Sequence, residues 1–345
     1  MKKLSSTLLA LSLSFTALPL TSFAQEANQA EDFKAVIVTD VGGIDDKSFN
    51  QGAWEGLVSW GQEHNKEEGE GYNYLHSQSD SDYVTNLTTA AQSDFDIVFA
   101  IGYKLQPSLE QVAKQFPDQN FAIVDGLIEA ENVASLNFND EEAAFLAGVA
   151  AANSTDKDKI GFIGGVEGVV IDKFEAGFVA GVQAVAPDKE VVVEYAGSFV
   201  DPTKGRTLAS TMYAQGIDLI FHASGPTGNG VFAEAKDLIT ADPSRQLWVI
   251  GVDRDQTDEG AFKVNGEDRN VTLTSTLKNT GNVVRNFANQ MMTEGFQSGN
   301  IQSNLANDGV GLANGQLDQE TLKLVAEFKD KIISGEITVP DKPGQ

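Results

Sequence analysis

The sequence predicts an α/β protein of two doubly wound parallel-sheet lobes joined by a hinge. Three observations carry that expectation. From Phe33 onward, short β-branched runs alternate with amphipathic helical stretches, the pattern of parallel sheets covered on both faces. The alternation comes in two successive series, separated near residues 135–139 by a change of register and no low-complexity linker. Once an N-terminal leader is set aside, roughly 320 residues remain, a length suited to two domains.

The leader comes first. Lys2 and Lys3 give a positive start, residues 4–20 are apolar or small with Pro19 near their end, and Ser22-Phe23-Ala24 puts small residues where a signal peptidase reads. Residues 1–24 are thus expected to be a signal peptide cleaved before Gln25. The stretch is short and broken by Ser and Thr, whereas a spanning helix needs about 20 mostly apolar residues. The first series then offers strands at 35–39, 72–75, 97–101 and 121–124. Its helices are marked by Phe49, Ala53, Leu57 and Gly61 at i, i+4 spacing, and by Leu109, Val112, Ala113 and Phe116 after Pro107-Ser108. The second series opens with a helix at 143–152. Strands follow at 160–163, 191–195, 219–222, 247–251 and 271–277, with helices at 170–186, 228–240, 281–292 and 317–333. The expected division is residues 25–136 plus 278–312 for lobe 1, and 137–277 plus 313–345 for lobe 2.

Composition narrows the class. There is no cysteine, which removes disulfides and attachment through a lipidated N-terminal cysteine, and a chain this long buries a sufficient core without cross-links. The expected location is the periplasm, free in solution. Lys and Arg number 24 against 50 Asp and Glu, a net charge of −26. Loss of Lys2 and Lys3 takes this to about −28, a surface that repels nucleic acid and anionic membrane. The acids are spread along the chain, as in a solvated surface rather than an interaction tail.

In open α/β sheets, ligands sit beyond the carboxyl ends of the strands. The first strand runs into Thr39-Asp40-Val41-Gly42-Gly43-Ile44-Asp45-Asp46-Lys47-Ser48-Phe49-Asn50. Two glycines permit a tight loop, and Ser48 or Asp46 can cap the next helix. A capped turn does not account for Phe49, Asn50 and the further acids at this place.

This segment resembles the start of the basic membrane protein family of substrate-binding proteins, which includes purine-nucleoside receptors. The resemblance runs through nearly the whole mature chain. Ser135-Leu136-Asn137-Phe138, with Glu142 through Gly148, is similar to the family's crossover and next helix. His222 through Gly228, with Val231-Phe232, is similar to its second-lobe loop, and Gly251 through Gln256 and Thr274 through Lys278 to its closing motifs. The resemblance implies two type-I periplasmic-binding lobes, no catalysis, no cofactor or metal, a monomer, and the permease and ATPase subunits of an ABC importer as partners.

Read on their own chemistry, the residues agree. Phe49 and Phe232 follow strands of different lobes and can meet opposite faces of a planar ring, worth about 1–3 kcal/mol per base. Asp40 and Asn50 suit the edge of a base, with Asp46 beside them. Asp125 and Asp253 are hydroxyl acceptors of the kind ribose needs. Lys278 supplies a donor and balances the acids, since unpaired buried carboxylates are too costly. Core packing is the competing reading for either phenylalanine.

Other signals fall short. Gly161-Phe162-Ile163-Gly164-Gly165 lacks the full dinucleotide-loop spacing. Asp253, Asp255, Asp258 and Glu259 misplace the glycine and final glutamate of a calcium loop. His64, His76 and His222 have no metal-ligand spacing. Asp45-Asp46 is similar to the closing pair of the nucleoside hydrolase acid loop, but Thr39 and Val41 stand where further acids are needed, and valine cannot ligate calcium. A sugar fits an aromatic pair with acids too, so it stays open beside the nucleoside.

Overall fold

The computed structural model describes residues 32–344; the signal peptide, its cleavage before Gln25 and the N-terminal lysines lie outside the described residues. The first sheet holds β1 (Ala35–Thr39), β2 (Tyr72–His76), β3 (Ile97–Ile101), β4 (Asn120–Val124) and β5 (Val133–Phe138). The second holds β6 (Lys159–Gly164), β7 (Glu190–Tyr195), β8 (Leu219–Ala223), β9 (Trp248–Gly251) and β12 (Thr272–Lys278). Between β9 and β12, β10 (Ala261–Val264) and β11 (Glu267–Asn270) form a separate antiparallel hairpin. β13 (Gly299–Ser303) then returns to the first sheet and β14 (Val310–Leu312) to the second.

The strand orders are β13-β5-β4-β3-β1-β2 and β14-β12-β9-β8-β6-β7. Every pairing in the first sheet is parallel; in the second, only β14 runs antiparallel, against β12. The apolar runs AVIVT of β1 and IVFAI of β3 are buried along their whole length, as central strands covered on both faces must be. Helices Phe49–Glu63, Tyr83–Gln92 and Gln106–Gln115 serve the first lobe, and Val169–Val185, Pro202–Ala214 and Gly228–Ala241 the second.

The chain crosses between sheets three times. β5 leads into helix Asp140–Ser154, whose alanine-rich body is buried almost all round. β12 leads into helix Thr280–Glu294, which packs on Phe49–Glu63. The third crossing lies between Ser303 and Val310, upstream of residue 312, because β14 pairs with β12. Helix Gln319–Ile333 then packs against Asp140–Ser154. One apolar core runs through the hinge, joining Ile37, Phe99 and Leu136 of the first sheet to Phe162 and Phe221 of the second.

Each sheet reverses its strand order once, between β1 and β3 and between β6 and β8. The carboxyl ends at these switch points face each other across the interlobe cleft, where a ligand site is expected.

Candidate functional site: a cavity between the lobes

A cleft enclosing about 600 Å³ of space, open solvent at its mouth included, lies between the two sets of strand ends. The loop after β1 builds one wall. Asp40 Oδ1 accepts from the Gly42 backbone N–H and from Asn50 Nδ2, both at 2.8 Å. Asp46 accepts the backbone N–H groups of Ser48 (2.9 Å), Asn50 (2.8 Å) and Gln51 (3.0 Å), and Asn50 Nδ2 at 2.9 Å. The helix that starts at Phe49 is therefore capped by Asp46, which satisfies the orphan donors of its first turn. Ser48 is left free to reach across the cleft, and its hydroxyl donates to Asp253 of the other lobe.

This network fixes the Asn50 amide. Both Nδ2 hydrogens are taken by carboxylates, and Oδ1 is buried with no partner. Burial pushes the carboxyls of Asp40 and Asp46 up from their ordinary value, against the pull of the donors they accept from.

The next strand ends add to the same wall. Gly102, after β3, has φ 109°, and a Cβ there would stand 3.5 Å from Asp40 Oδ2 and 3.6 Å from Phe49 Cε1. Its bare backbone leaves that corner open. Tyr103 follows. Asp125 after β4 and Asp253 after β9 occupy matching positions in the two lobes, and both take left-handed backbone, with φ 65° and 68°. Such conformations in non-glycine residues concentrate at functional sites.

The second lobe supplies Phe174, Phe199 and residues 223–226. A Cβ on Gly165 would lie 2.3 Å from Phe199 Cδ1, so the glycine makes the room in which that ring sits. Phe199 in turn meets Tyr103 of the first lobe edge-on, with ring centroids 6.4 Å apart, and Lys104 Nζ stands 5.5 Å from its centroid.

The chain matches the family described as ABC transporter substrate-binding protein, PnrA-like, over residues 33–343. It belongs to that family. A Listeria monocytogenes protein named CD4+ T-cell-stimulating antigen is 50% identical over 320 residues, covering 91% of this chain and 90% of its own. The ABC transporter nucleoside-binding protein BmpA of Lactococcus lactis is 44% identical over 315 residues, with 90% of each chain covered. Among solved structures, an ABC transporter solute-binding protein from Aeropyrum pernix K1 superimposes with a TM-score of 0.78 at 26% identity, over 91% of this chain and 94% of that one. Members of this PnrA-like family bind substrates for transporters and are not enzymes, so the hydrolase reading of Asp45-Asp46 is set aside.

The charged centre of this PnrA-like site is Lys278, at the end of β12. Its ammonium donates to Asp125 Oδ2 at 2.6 Å and to Asp140 Oδ2 at 3.0 Å. It also stands 5.3, 4.9 and 5.7 Å from the ring centroids of Phe49, Phe138 and Phe174. Burial alone would lower its pKa, but Asp125, Asp140 and Asp253 together raise it above its ordinary value. Burial pushes the carboxyl of Asp140 up to about 7 despite Lys278, and that of Asp253 up to about 6. Direct links also tie the lobes together: Lys47 Nζ to Glu259 at 2.9 Å, Gln256 Nε2 to the Lys47 carbonyl at 3.0 Å, and Arg254 to Glu55 at 3.3 Å.

Asp40, Asp46, Phe49, Asn50, Asp125, Asp253 and Lys278 all line the cavity. Phe232 does not, which corrects the expectation that it supplies the second ring. With Val231, Ala235 and Ile239 it forms the helix stripe that packs on the second sheet, and its ring stands edge-on to His222. Phe174 and Phe199 are the second-lobe rings instead. Gly102, Tyr103 and Phe199 follow strand ends, so the rule used for Asp40 and Asp125 would have found them. Phe174 lies inside a helix, where periodicity reads it as core. Among the described residues no group of His, Asp and Glu could hold a metal ion, and no helix is long and apolar enough to cross a membrane.

Proposed function

We propose that this chain binds a nucleoside of the purine class between its lobes, without transforming it, and delivers it to the permease and ATPase subunits of an ABC importer. The observation that carries this reading is the pairing of aromatic rings from both lobes with hydrogen-bonding groups along the same cavity wall. Phe49 faces the cavity from the first lobe, and Phe174 and Phe199 from the second. Asp40 and the unpaired Asn50 Oδ1 accept from N–H groups on a base edge. Asp125 and Asp253 accept the hydroxyls of a ribose, with Lys278 holding Asp125 in place. The lactococcal relative, named for nucleoside binding, supports the same ligand class.

The ligand touches groups on both lobes, so binding favours the closed arrangement and the importer reads loaded receptor by shape. The chain works outside the cytoplasm, in the periplasm, as a monomer released by cleavage before Gln25; mass spectrometry of the exported protein checks that terminus. Calorimetry with a panel of nucleosides, free bases and plain sugars tests the ligand. At least one purine nucleoside should bind tightly with no free ribose released. Strong binding of a plain sugar with no heat from any nucleoside overturns the reading.

A further inference from the structure

Buried polar atoms in folded proteins almost always have partners, and each exception needs a reason. The donor-bearing side chains of the cavity wall are Asn50, Tyr103, Ser224 and Lys278. Asn50 donates to Asp40 and Asp46, Lys278 donates to Asp125 and Asp140, and Ser224 Oγ lies 3.4 Å from His222 Nδ1. The Tyr103 hydroxyl is buried and has none. Tyr213 shares that feature, but its ring belongs to the second-lobe core, away from the cavity. The difference in place makes Tyr103 a ligand-facing group and Tyr213 a packing one.

Three features place Tyr103 beside Asp40 on the first-lobe wall. It directly follows Gly102, whose missing side chain opens the corner against Asp40 Oδ2 and Phe49. Its ring is held edge-on to Phe199, so both walls brace it. Burial, and after it the charges of Asp40 and Asp125, push the phenol up to about 12, which keeps it a donor at any physiological pH. The free groups beside Asp40 are then two acceptors, Asp40 Oδ2 and Asn50 Oδ1, and one hydroxyl donor. A pair of N–H donors beside a carbonyl meets all three groups at once, as on the edge of guanine and, with one N–H fewer, of hypoxanthine, whereas adenine could offer the hydroxyl only a ring nitrogen.

We infer that Tyr103 is a specificity-determining residue, whose hydroxyl donates to a carbonyl oxygen on the ligand's base and favours oxo-purine nucleosides. The inference rests on the nucleoside reading above and sharpens it.

Titration calorimetry of the wild-type protein and Tyr103→Phe with guanosine, inosine and adenosine tests it. Phenylalanine keeps the ring against Phe199 and removes only the hydroxyl. Guanosine and inosine should each bind about tenfold more weakly to the variant, the loss expected for one buried hydrogen bond, while adenosine changes less than about threefold. The preference for guanosine over adenosine should therefore shrink. An equal loss for all three ligands, or no loss for any, overturns the role of Tyr103 and leaves the nucleoside reading standing. The wild-type protein gives a second check that does not depend on the variant's folding: adenosine binding more tightly than both oxo-nucleosides overturns the preference. Failure of all three to bind the wild type removes the nucleoside reading, and this inference with it.

Discussion

Replacing Lys278 by methionine should expose how much of the hinge depends on one ammonium. The substitution keeps a flexible, largely apolar side chain among Phe49, Phe138 and Phe174, so little packing is lost. What disappears is the cation between Asp125 and Asp140, both nearly inaccessible to solvent, with Asp253 close enough to act on it. Breaking a buried ion pair by removing one partner costs about 3–5 kcal/mol, because the remaining charge is stranded. At about 2–4 °C per kcal/mol for a chain of this size, the melting temperature should fall by roughly 10 °C. The pH dependence carries the sharper test. Stranded buried carboxyls have folded-state pKa values above their unfolded ones, so the folded variant binds more protons than its unfolded chain. Its stability is therefore largest at low pH and is lost as pH rises through the folded values. Melting curves of wild type and variant at pH 5 and pH 8 should show a deficit that is clearly smaller at pH 5. A deficit below about 1 kcal/mol, or one equal at both pH values, would refute the claim that Lys278 neutralises this cluster.

Further expectations follow from the same geometry. Phe232→Ala should lower stability by about 3–5 kcal/mol in a ligand-free melt while leaving calorimetric affinity nearly unchanged, since its ring fills core and not cavity. Phe199→Ala should do the opposite, weakening ligand binding by about 1–3 kcal/mol with little change in the melt. Gly165→Ala should resemble Phe199→Ala in calorimetry, because the added methyl takes the space of the Phe199 ring; an unchanged affinity would show that the ring's position is not critical. Asp253 has its folded pKa raised by burial to about 6, so its contribution is present below pH 4 and lost as pH rises to about 6. Asp253→Asn should accordingly lose less stability than wild type over that window in urea titrations, and parallel curves would count against the raised value.

The parts of the fold that could be read from sequence are those where burial leaves its mark on composition. The fully buried β1, β3 and β8 are apolar but for Thr39 and His222, and the helix at Phe49 shows its face at i, i+4 spacing. The elements that escaped are polar and peripheral. β13 (GNIQS) and β11 (EDRN) are mostly exposed, and the pairing of β13 with β5 depends on a partner more than 160 residues away. Helix Tyr83–Gln92 is rich in threonine, and Pro202–Ala214 buries only a narrow stripe, so neither stands out by pattern. The site was legible where a strand's end could be located and the following residues had distinctive chemistry, as with Asp40, Asn50, Asp125 and Asp253. Phe232 was misread because an aromatic soon after a strand looks the same whether its helix turns it towards the cleft or the sheet. The choice is made by Val231, Ala235 and Ile239, which share its buried stripe. That Asp46 serves as the helix cap, with Ser48 released to bridge the lobes, depends on loop geometry that no spacing encodes.

The imbalance of charge around Lys278 also acts as a filter. Asp40, Asp46, Asp125 and Asp253 line the cavity, and Lys278, the one cationic side chain among its lining residues, is already shared between two carboxylates. A phosphate monoester carries about −1.5 to −2 charge near neutral pH and would meet four lining carboxyls and one lining cation already engaged, with Lys104 standing over the Phe199 ring. On this charge pattern a phosphorylated solute should bind the cleft more weakly than its dephosphorylated form, a difference that calorimetry with the matched pair measures.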